Sequence, residues 1–400
     1  MDRPGTPSRR DALAASIGLV GLLVGGCGRR LIEGQTDAVT SASPDAVTGA
    51  SQGGGPPTNV VQFEEAARRR LPRSVYEYVR GGKDEEVTLR RNRTAFNELQ
   101  LNPRALKDVR AIDTTLELFD EKLDLPILLA PTGFHSFLHK DAELETARGA
   151  NLSRTPLVVS TLSHKSVLEI AEVAKAPLWF QLYAHEDRGI TRGLVELGER
   201  AGCKALVITV DNPSRGTGAF KKRGLTLPIL GNLTALGVDP NSDTAKAFRT
   251  DRALDWDAVA RIATWTKLPI LLKGILAPQD ADQAARSGFV AGVIVSNHGA
   301  RQVDARPATV EALPRVVDSV AGRIPLLVDG GVRYGTDVVK ALALGARAVL
   351  IGRPYLWGLS VAGADGIATI VETLRDGLEL AMMMCGVTSL QQLNRDVLWT

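Results

Sequence analysis

The sequence predicts an α/β protein built as a (β/α)8 TIM barrel, and three observations support this fold class. The first is a series of eight short apolar runs without inner alternation, as expected for parallel strands that are buried on both faces. The second is that segments with helical character separate the runs. The third is that a polar residue closes almost every run. The count and these polar ends favour a closed barrel over an open doubly wound sheet.

The runs are rich in β-branched and other aliphatic residues, and several start at a proline. In chain order they are PILLAP (126–131), PLVVS (156–160), LWFQLY (178–183), ALVITVD (205–211), PILLKG (269–274), GVIVSNH (292–298), PLLVDGG (325–331) and AVLIGR (348–353). A stretch with helical apolar spacing, 63–80, precedes them and ends at Gly81 and Gly82. The long connection 212–255 follows the fourth run, and we expect it to form a lid over the mouth of that strand.

Composition limits the possible partners and ligands. Of the 400 residues, 44% are hydrophobic, which allows a large core, and 48 basic against 45 acidic residues leave a net charge of only +3. No basic block with interleaved aromatic residues is present, so no nucleic-acid partner is predicted. The three cysteines are too scattered for a disulfide framework. His135 and His139 lack the glutamate of an H-E-x-x-H motif, so no metal site is predicted.

Residues 1–27 have the layout of a bacterial export signal. Arg9 and Arg10 precede a short apolar stretch, 12–26, which is too short and glycine-rich for a comfortable membrane span. The paired arginines resemble a twin-arginine signal, and VGGC (24–27) resembles a lipobox in which Cys27 is lipidated. The alternatives are an N-terminal anchor helix and a start codon placed too early.

This interpretation divides the chain into three parts. Residues 28–58 are rich in Gly, Ser, Thr, Pro and Ala without an apolar period, and we interpret them as a flexible linker. Residues 59–400 form the barrel domain. The predicted location is therefore outside the cytoplasm, on a membrane to which the lipidated Cys27 anchors the protein.

The sixth run ends in residues suited to acid–base chemistry. His298 and Arg301 follow the predicted strand at the end where α/β barrels place their active sites. Histidine moves a proton near neutral pH, and arginine holds a carboxylate through two parallel hydrogen bonds. The alternative for an isolated histidine of this kind is a solvated polar loop.

The seventh and eighth runs end in a pattern typical of phosphate binding. DGGVR (329–333) follows the seventh strand and Gly352-Arg353 follows the eighth. Barrels commonly bind phosphate at these two loops, because glycines let backbone N–H groups approach it and arginines neutralise it. Glycine turns with solvated arginines are the alternative.

These motifs, taken together, resemble the FMN-dependent 2-hydroxy-acid oxidases and dehydrogenases, which include glycolate oxidase, lactate oxidase and dehydrogenase, and mandelate dehydrogenase. The motifs VSNHGARQ, LVDGGVR, GTDVVKALALGA and IGRP carry the resemblance. LPRSVYEYVRGG, LLAPTGF, FQLY, ITVD and LPILLKG also occur in the family's order. The similarity runs from about residue 63 to near the C-terminus and implies FMN as cofactor.

The resemblance implies a role for each matching residue. His298 would be the base, oriented by Asp211; Tyr183 would contact the reacting oxygen, and Lys273 the flavin. The substrate-binding residues that the resemblance implies are Tyr78, Arg301 and Tyr183. Its implied cofactor-binding residues are Pro131, Thr132, Gly133, Ser160, Gln181, Thr209, Lys273, Ser296, Asp329, Gly331, Arg333, Gly352 and Arg353.

The chain departs from the family pattern in the lid. Relatives usually have an arginine there that also holds the substrate carboxylate, whereas this sequence has Gly218. Lys221, Lys222 and Arg223 lie nearby but match no motif position. We therefore expect weak binding of small 2-hydroxy acids. Gly133, where many relatives have alanine, is expected to leave room for a bulkier substrate.

The sequence predicts FMN-dependent oxidation of an L-2-hydroxy acid to the 2-oxo acid, an oxidoreductase reaction. Two alternatives follow from Gly218: a flavin-binding lipoprotein with decayed catalysis, and a flavin enzyme that uses a non-carboxylate substrate. The electron acceptor is open between oxygen, a quinone and a cytochrome. A homo-oligomer is implied by the resemblance.

Overall fold

The computed structural model describes residues 55–213, 224–246 and 248–399. Its strands, in chain order, are β1 (Gln100–Leu101), β2 (Leu116–Leu118), β3 (Glu121–Leu123), β4 (Ile127–Leu129), β5 (Leu157–Ser160), β6 (Leu178–Leu182), β7 (Leu206–Thr209), β8 (Ile270–Ile275), β9 (Gly292–Val295), β10 (Leu326–Asp329), β11 (Ala348–Ile351) and β12 (Leu398–Trp399). Strands β4 to β11 form a closed barrel. Every one of them coincides with a predicted run, so the predicted (β/α)8 barrel is confirmed.

Each barrel strand pairs in parallel with the next strand along the chain, and β11 pairs with β4 to close the ring. Alternate residues of a strand belong to two different buried clusters. Leu128 packs inside the barrel, whereas Ile127 and Leu129 pack between the barrel and its helices. Burial on both faces is the reason that the runs lack the alternation of a solvated strand.

The helices are α1 (Val60–Arg70), α2 (Arg73–Arg80), α3 (Val87–Glu98), α4 (Ala142–Ser153), α5 (Val167–Val173), α6 (Arg188–Arg200), α7 (Gly231–Ala235), α8 (Asp243–Lys246), α9 (Trp256–Ala263), α10 (Pro278–Arg286), α11 (Thr309–Val320), α12 (Gly335–Ala343) and α13 (Arg353–Cys385). Helix α13 is interrupted at Ala362 and Gly363. Within the described ranges no helix is both long and apolar enough to cross a membrane.

Two segments differ in the structure from their prediction. The stretch 63–80 is two helices, because Pro72 lacks an N–H and forces Leu71 into extended backbone. The connection 212–255 is not wholly irregular, since it contains the short helices α7 and α8. Gly218, Lys221, Lys222 and Arg223 lie outside the described residues, as do the predicted export signal and residues 28–54 of the predicted linker.

The hairpin of β2 and β3, which the apolar runs did not predict, covers the end of the barrel where the strands begin. Leu116, Leu118 and Leu123 join the interior cluster. At the turn, the ring of Phe119 packs edge-on against Trp179 with 5.6 Å between centroids. Because this end is covered, the opposite end of the barrel is the one available to a ligand.

Candidate active site

A cavity lies at the carboxyl ends of the barrel strands. The predicted residues that line it are Tyr78, Pro131, Thr132, Gly133, Ser160, Tyr183, Lys273, His298, Arg301, Asp329, Gly331, Arg333, Gly352 and Arg353. Asp211, Gln181, Thr209 and Ser296 are predicted residues that do not line the cavity. They contact lining residues from behind, so the structure brings the whole predicted set together.

The loop after β9 presents His298 in an unusual backbone conformation. His298, Gly299 and Ala300 have φ values of 59°, 60° and 64°. Left-handed backbone costs about 1–2 kcal/mol for each residue with a Cβ. A reciprocal pair of amide hydrogen bonds between Asn297 and Asn92, at 3.0 and 2.7 Å, holds the loop against α3. Sequence analysis missed Asn92, whose partner Asn297 lies about 200 positions along the chain.

The imidazole of His298 is held at both nitrogens. Nδ1 lies 2.9 Å from Oδ1 of Asp211, and Nε2 lies 3.2 Å from the hydroxyl of Tyr183. An ionised carboxylate only accepts, so Nδ1 carries the hydrogen and Nε2 has the free lone pair. Burial raises the pKa of Tyr183, so its phenol stays protonated and donates to Nε2. His298 is thus set to take up a proton at Nε2, on the cavity side.

Asp211 is buried and ionised. Burial by itself raises the pKa of its carboxyl group, but the hydrogen bond from His298 and the positive charges of Lys273 and Arg306 hold that pKa below its ordinary value. A Cβ at Gly274, which has a φ of 112°, would lie 2.6 Å from the Cβ of Asp211. Gly274, the last residue of the fifth run, therefore makes room for this carboxylate. Its place in the sequence did not predict this role.

Lys273 forms the buried ion pair of the site. Its Nζ lies 3.2 Å from Oδ2 of Asp329 and donates to Oγ of Ser296 at 3.1 Å. Oγ of Ser296 also accepts the backbone N–H of His298 at 3.0 Å. Oδ1 of Asp329 is buried and has no hydrogen-bond partner among the described residues. This oxygen is therefore available to accept a hydrogen bond from a ligand in the cavity.

Arg301 lies over Tyr78 at the outer part of the cavity. Its Nη1 donates to the backbone oxygens of Tyr78 and Gly81 at 2.8 and 3.2 Å, and its guanidinium carbon lies 4.7 Å from the centroid of the Tyr78 ring. These contacts, including the cation–π interaction, hold one edge of the guanidinium. The two residues predicted to bind a carboxylate are thus side by side.

Two half-buried guanidinium groups occupy the predicted phosphate end. Arg353 donates to the backbone oxygens of Val79, Gly81 and Gly299 at 2.8–3.0 Å. Burial lowers the pKa of Arg353 to about 9 and that of Arg333 to about 10. Neither forms an ion pair with a carboxylate in the described part of the chain. Partly buried cations without a counter-ion favour binding of an anion.

The glycine pair at this end is required by geometry. Gly330 and Gly331 both have a φ of 93°, and a Cβ at Gly331 would lie 2.0 Å from the backbone oxygen of Asn92. Only glycine fits such a position without a shift of the backbone. The absence of a side chain at Gly331 therefore allows α3 to pack directly against the phosphate end.

The remaining predicted cofactor contacts form a polar layer between strands. Gln181 accepts from Oγ of Ser160 at 3.2 Å and donates to Oγ1 of Thr209 at 3.0 Å. Thr132 Oγ1 lies 2.7 Å from Nε2 of His135 and also contacts the hydroxyl of Tyr355. Burial lowers the pKa of His135, so this histidine is a neutral hydrogen-bond partner behind the cavity wall.

His139 does not share a site with His135. It lies near Asp141 and Glu145, with donor atoms within 4.8 Å of one another. Arg148 already pairs with both carboxylates, at 3.0 and 2.8 Å. Both carboxylates of this cluster are therefore already in ion pairs with Arg148.

Gly133 lines the cavity, but the place that a side chain would take at this position is not open space, in contrast to the expectation from sequence. A Cβ built on Gly133 would lie 2.9 Å from the backbone oxygen of Leu162 and 3.1 Å from its Cβ. Leu162 occupies the room that the side chain of an alanine would need. Any extra space for a bulky substrate must come from another part of the cavity wall.

The donor set fits FMN. The half-buried Arg333 and Arg353 suit a phosphate, and the unpartnered Oδ1 of Asp329 suits a sugar-alcohol hydroxyl. The buried cation of Lys273 suits a ring system that gains negative charge on reduction.

Comparisons with known proteins agree with this site. A family model described as FMN-dependent dehydrogenase matches residues 67–400. Glycolate oxidase of Spinacia oleracea is 42% identical over 349 residues, which cover 84% of this chain and 94% of the relative. L-Lactate oxidase of Nostoc sp. is 40% identical over 358 residues, which cover 86% and 98%.

Solved structures show the same likeness. A crystal structure of mandelate oxidase has a TM-score of 0.78 at 37% identity, and the match covers 86% of this chain and 98% of that one. A mutant of a chimera of (S)-mandelate dehydrogenase has a TM-score of 0.79 at 32% identity, covering 86% and 99%. The fold and site define a flavin-dependent oxidoreductase. The chain belongs to the FMN-dependent 2-hydroxy-acid oxidase and dehydrogenase family, and FMN is its cofactor.

Proposed function

We propose that this protein oxidises an L-2-hydroxy acid to the 2-oxo acid with His298 as the base. The observation that supports this role is the pairing of His298 with Asp211 and Tyr183 in one cavity with Arg301. The substrate carboxylate binds Arg301 and Tyr78, which places its C2 atom toward His298. When the substrate binds, the Tyr183 hydroxyl donates its one hydrogen to the reacting oxygen instead of Nε2 of His298, so the lone pair of Nε2 is free to take the proton.

The residues of the chain handle charge and protons in this reaction. Nε2 of His298 takes the proton that leaves the substrate, and Asp211 stabilises the imidazolium that forms. Lys273 supplies positive charge beside the cofactor. FMN, when bound, would accept the two electrons and the second of the two hydrogens that the substrate loses. Arg333 and Arg353, with Gly331 and Gly352, would hold the FMN phosphate.

We propose a substrate with an apolar side chain of aromatic size. Phe134 and Phe137 line the cavity and pack around Tyr78, with ring centroids 6.1–6.5 Å apart. Leu162 extends this apolar wall. The mandelate oxidase structures, one of them with (S)-4-hydroxymandelic acid, support a site of this kind in a relative.

A screen of anaerobic FMN reduction tests the proposed function. We expect the yellow holoenzyme to bleach with (S)-mandelate or a long-chain 2-hydroxy acid and to saturate poorly with glycolate and L-lactate. Loss of one charge-assisted contact weakens the binding of small acids roughly tenfold to hundredfold. Gly218→Arg should therefore increase the affinity for glycolate and L-lactate at least about tenfold. Retention of FMN without bleaching by any 2-hydroxy acid would refute the function.

We propose that the protein is exported and anchored in a membrane through lipidated Cys27, with a flexible linker before the barrel domain. The motif VGGC (24–27) after paired arginines supports this, and the family model starts only at residue 67.

Cys27→Ala should release the protein from the membrane fraction, because it removes the lipid attachment site. Fractionation of cells that express the full chain, with detection by antibody, measures this. Cys203→Ala, at a buried cysteine of the barrel domain, is the matched control and should leave the distribution unchanged. An equal membrane share of Cys27→Ala and parent would contradict lipidation.

A further inference from the structure

The two carboxylate oxygens of Asp211 have different surroundings. Oδ1 lies 2.9 Å from Nδ1 of His298. Oδ2 is buried and has no hydrogen-bond partner among the described residues, but Nη1 of Arg306 lies 3.9 Å from it. This distance is too long for a hydrogen bond and short enough for an ion pair. The carboxylate that stabilises protonated His298 is therefore shared with a second cation.

The backbone of Arg306 is tied to the start of α3. Its N–H donates to Oγ1 of Thr88 at 2.9 Å, and that hydroxyl lies 3.3 Å from the backbone oxygen of Arg306. Asp304 accepts the backbone N–H groups of Val87 and Thr88 at 2.9 and 2.7 Å. The Arg306 side chain is only 22% exposed. The loop thus holds the guanidinium beside Asp211.

We propose that Arg306 limits how strongly Asp211 stabilises the imidazolium that His298 forms when it takes up a proton. This inference rests on the proposed role of His298 as base. A cation near Oδ2 offsets part of the negative charge of Asp211 and so weakens its electrostatic attraction for the imidazolium. Arg306 acts through Asp211 and is a positioning residue.

Other charged and titratable groups face the pair but are separate from Arg306. Lys273 acts on Asp211 from β8 and is itself paired with Asp329 on β10. Tyr183 reaches Nε2 of His298 from the end of β6 and stays protonated because burial raises its pKa.

On the substrate side, Arg301 interacts with the buried Tyr183, as does Tyr78 from α2. Burial alone raises the pKa of Asp211, and Arg306 is one of the cations that hold it low. A variant at Arg306 leaves all these other groups in place, so a change in pH response is attributable to that charge.

Arg306→Met removes the charge and keeps most of the side-chain length, and Arg306→Lys keeps the charge. With Arg306→Met the protonated imidazole is more stable, so the acid limb of kcat/KM should move to higher pH by about half to one pH unit. The high-pH plateau of kcat/KM for Arg306→Met should stay near that of the parent. Arg306→Lys should retain the parent profile.

A second measurement does not depend on turnover. Titration of the His298 ring nitrogens by NMR in the substrate-free holoenzyme, with His298→Gln to assign the signal among five histidines, should show the same upward movement in Arg306→Met. This titration tests the inference on Arg306 even if no substrate is found. Failure of the inference can therefore be distinguished from failure of the proposed function.

Coincident acid limbs and coincident NMR titrations of Arg306→Met and the parent would overturn the inference. A lower plateau with an unmoved limb would also overturn it, because that result describes a purely structural arginine. An equal shift in Arg306→Lys would show that charge is not the cause and would overturn it as well.

Discussion

His298→Gln should lower the rate of FMN reduction by a 2-hydroxy acid at least about two orders of magnitude, which is the usual contribution of a positioned base. The glutamine side chain occupies similar space but cannot accept and hold the proton at neutral pH. FMN stays bound, because the cofactor-binding groups at Arg333, Arg353 and Asp329 are unchanged. Stopped-flow absorbance under anaerobic conditions measures the rate, and the flavin spectrum after gel filtration measures the FMN content.

His139→Gln is the matched control, since His139 does not line the cavity. It should reduce FMN at the parent rate. Turnover of His298→Gln equal to that of the parent would mean that another group takes the proton, and Tyr183 would be the next residue to test.

Lys273→Met should weaken both the fold and the cofactor site. The side chains of Lys273 and Asp329 are only 5% and 9% exposed, so removing the cation leaves a buried carboxylate without its partner. Breaking a buried ion pair in this way costs about 3–5 kcal/mol in the free energy of unfolding. Loss of a charge-assisted contact should weaken FMN binding roughly tenfold or more. Urea unfolding and FMN titration measure the two effects.

The double variant Lys273→Met with Asp329→Asn separates stability from chemistry. Replacing the carboxylate removes the unpaired charge, so part of the unfolding free energy should return, whereas fast FMN reduction should not. Lys340→Met, at a half-buried lysine of α12, is the control and should keep its FMN. If Lys273→Met bound and reduced FMN like the parent, the charge would have no role at the cofactor.

Much of the site was predictable because its residues lie at the ends of strands. Apolar runs located the strands, and parallel strands place their carboxyl ends at one edge. His298 and Asp329 follow or end such runs, so their proximity could be inferred without coordinates. The arginines of the phosphate end were predictable for the same reason.

Other features depend on contacts between distant parts of the chain. The hairpin of β2 and β3 has weak patterning, since each strand has three residues and the turn at Phe119 and Asp120 contains no glycine. The amide pair of Asn92 and Asn297 joins helix α3 to the loop after β9, two segments that no local pattern relates. Gly133 illustrates the same limit, because the Leu162 backbone, not the side chain at 133, determines the space beside it.

The sequence by itself determined the barrel, the family and the chemical groups of the site, because hydrophobic periodicity and strand-end residues are local properties of the chain. Only the tertiary structure decided how those groups are tuned. Electrostatic effects depend on distances between side chains and on burial, which local patterns do not contain. The placement of Arg306 3.9 Å from Oδ2 of Asp211, and of Gly274 against the same carboxylate, follows from the packing of separate loops.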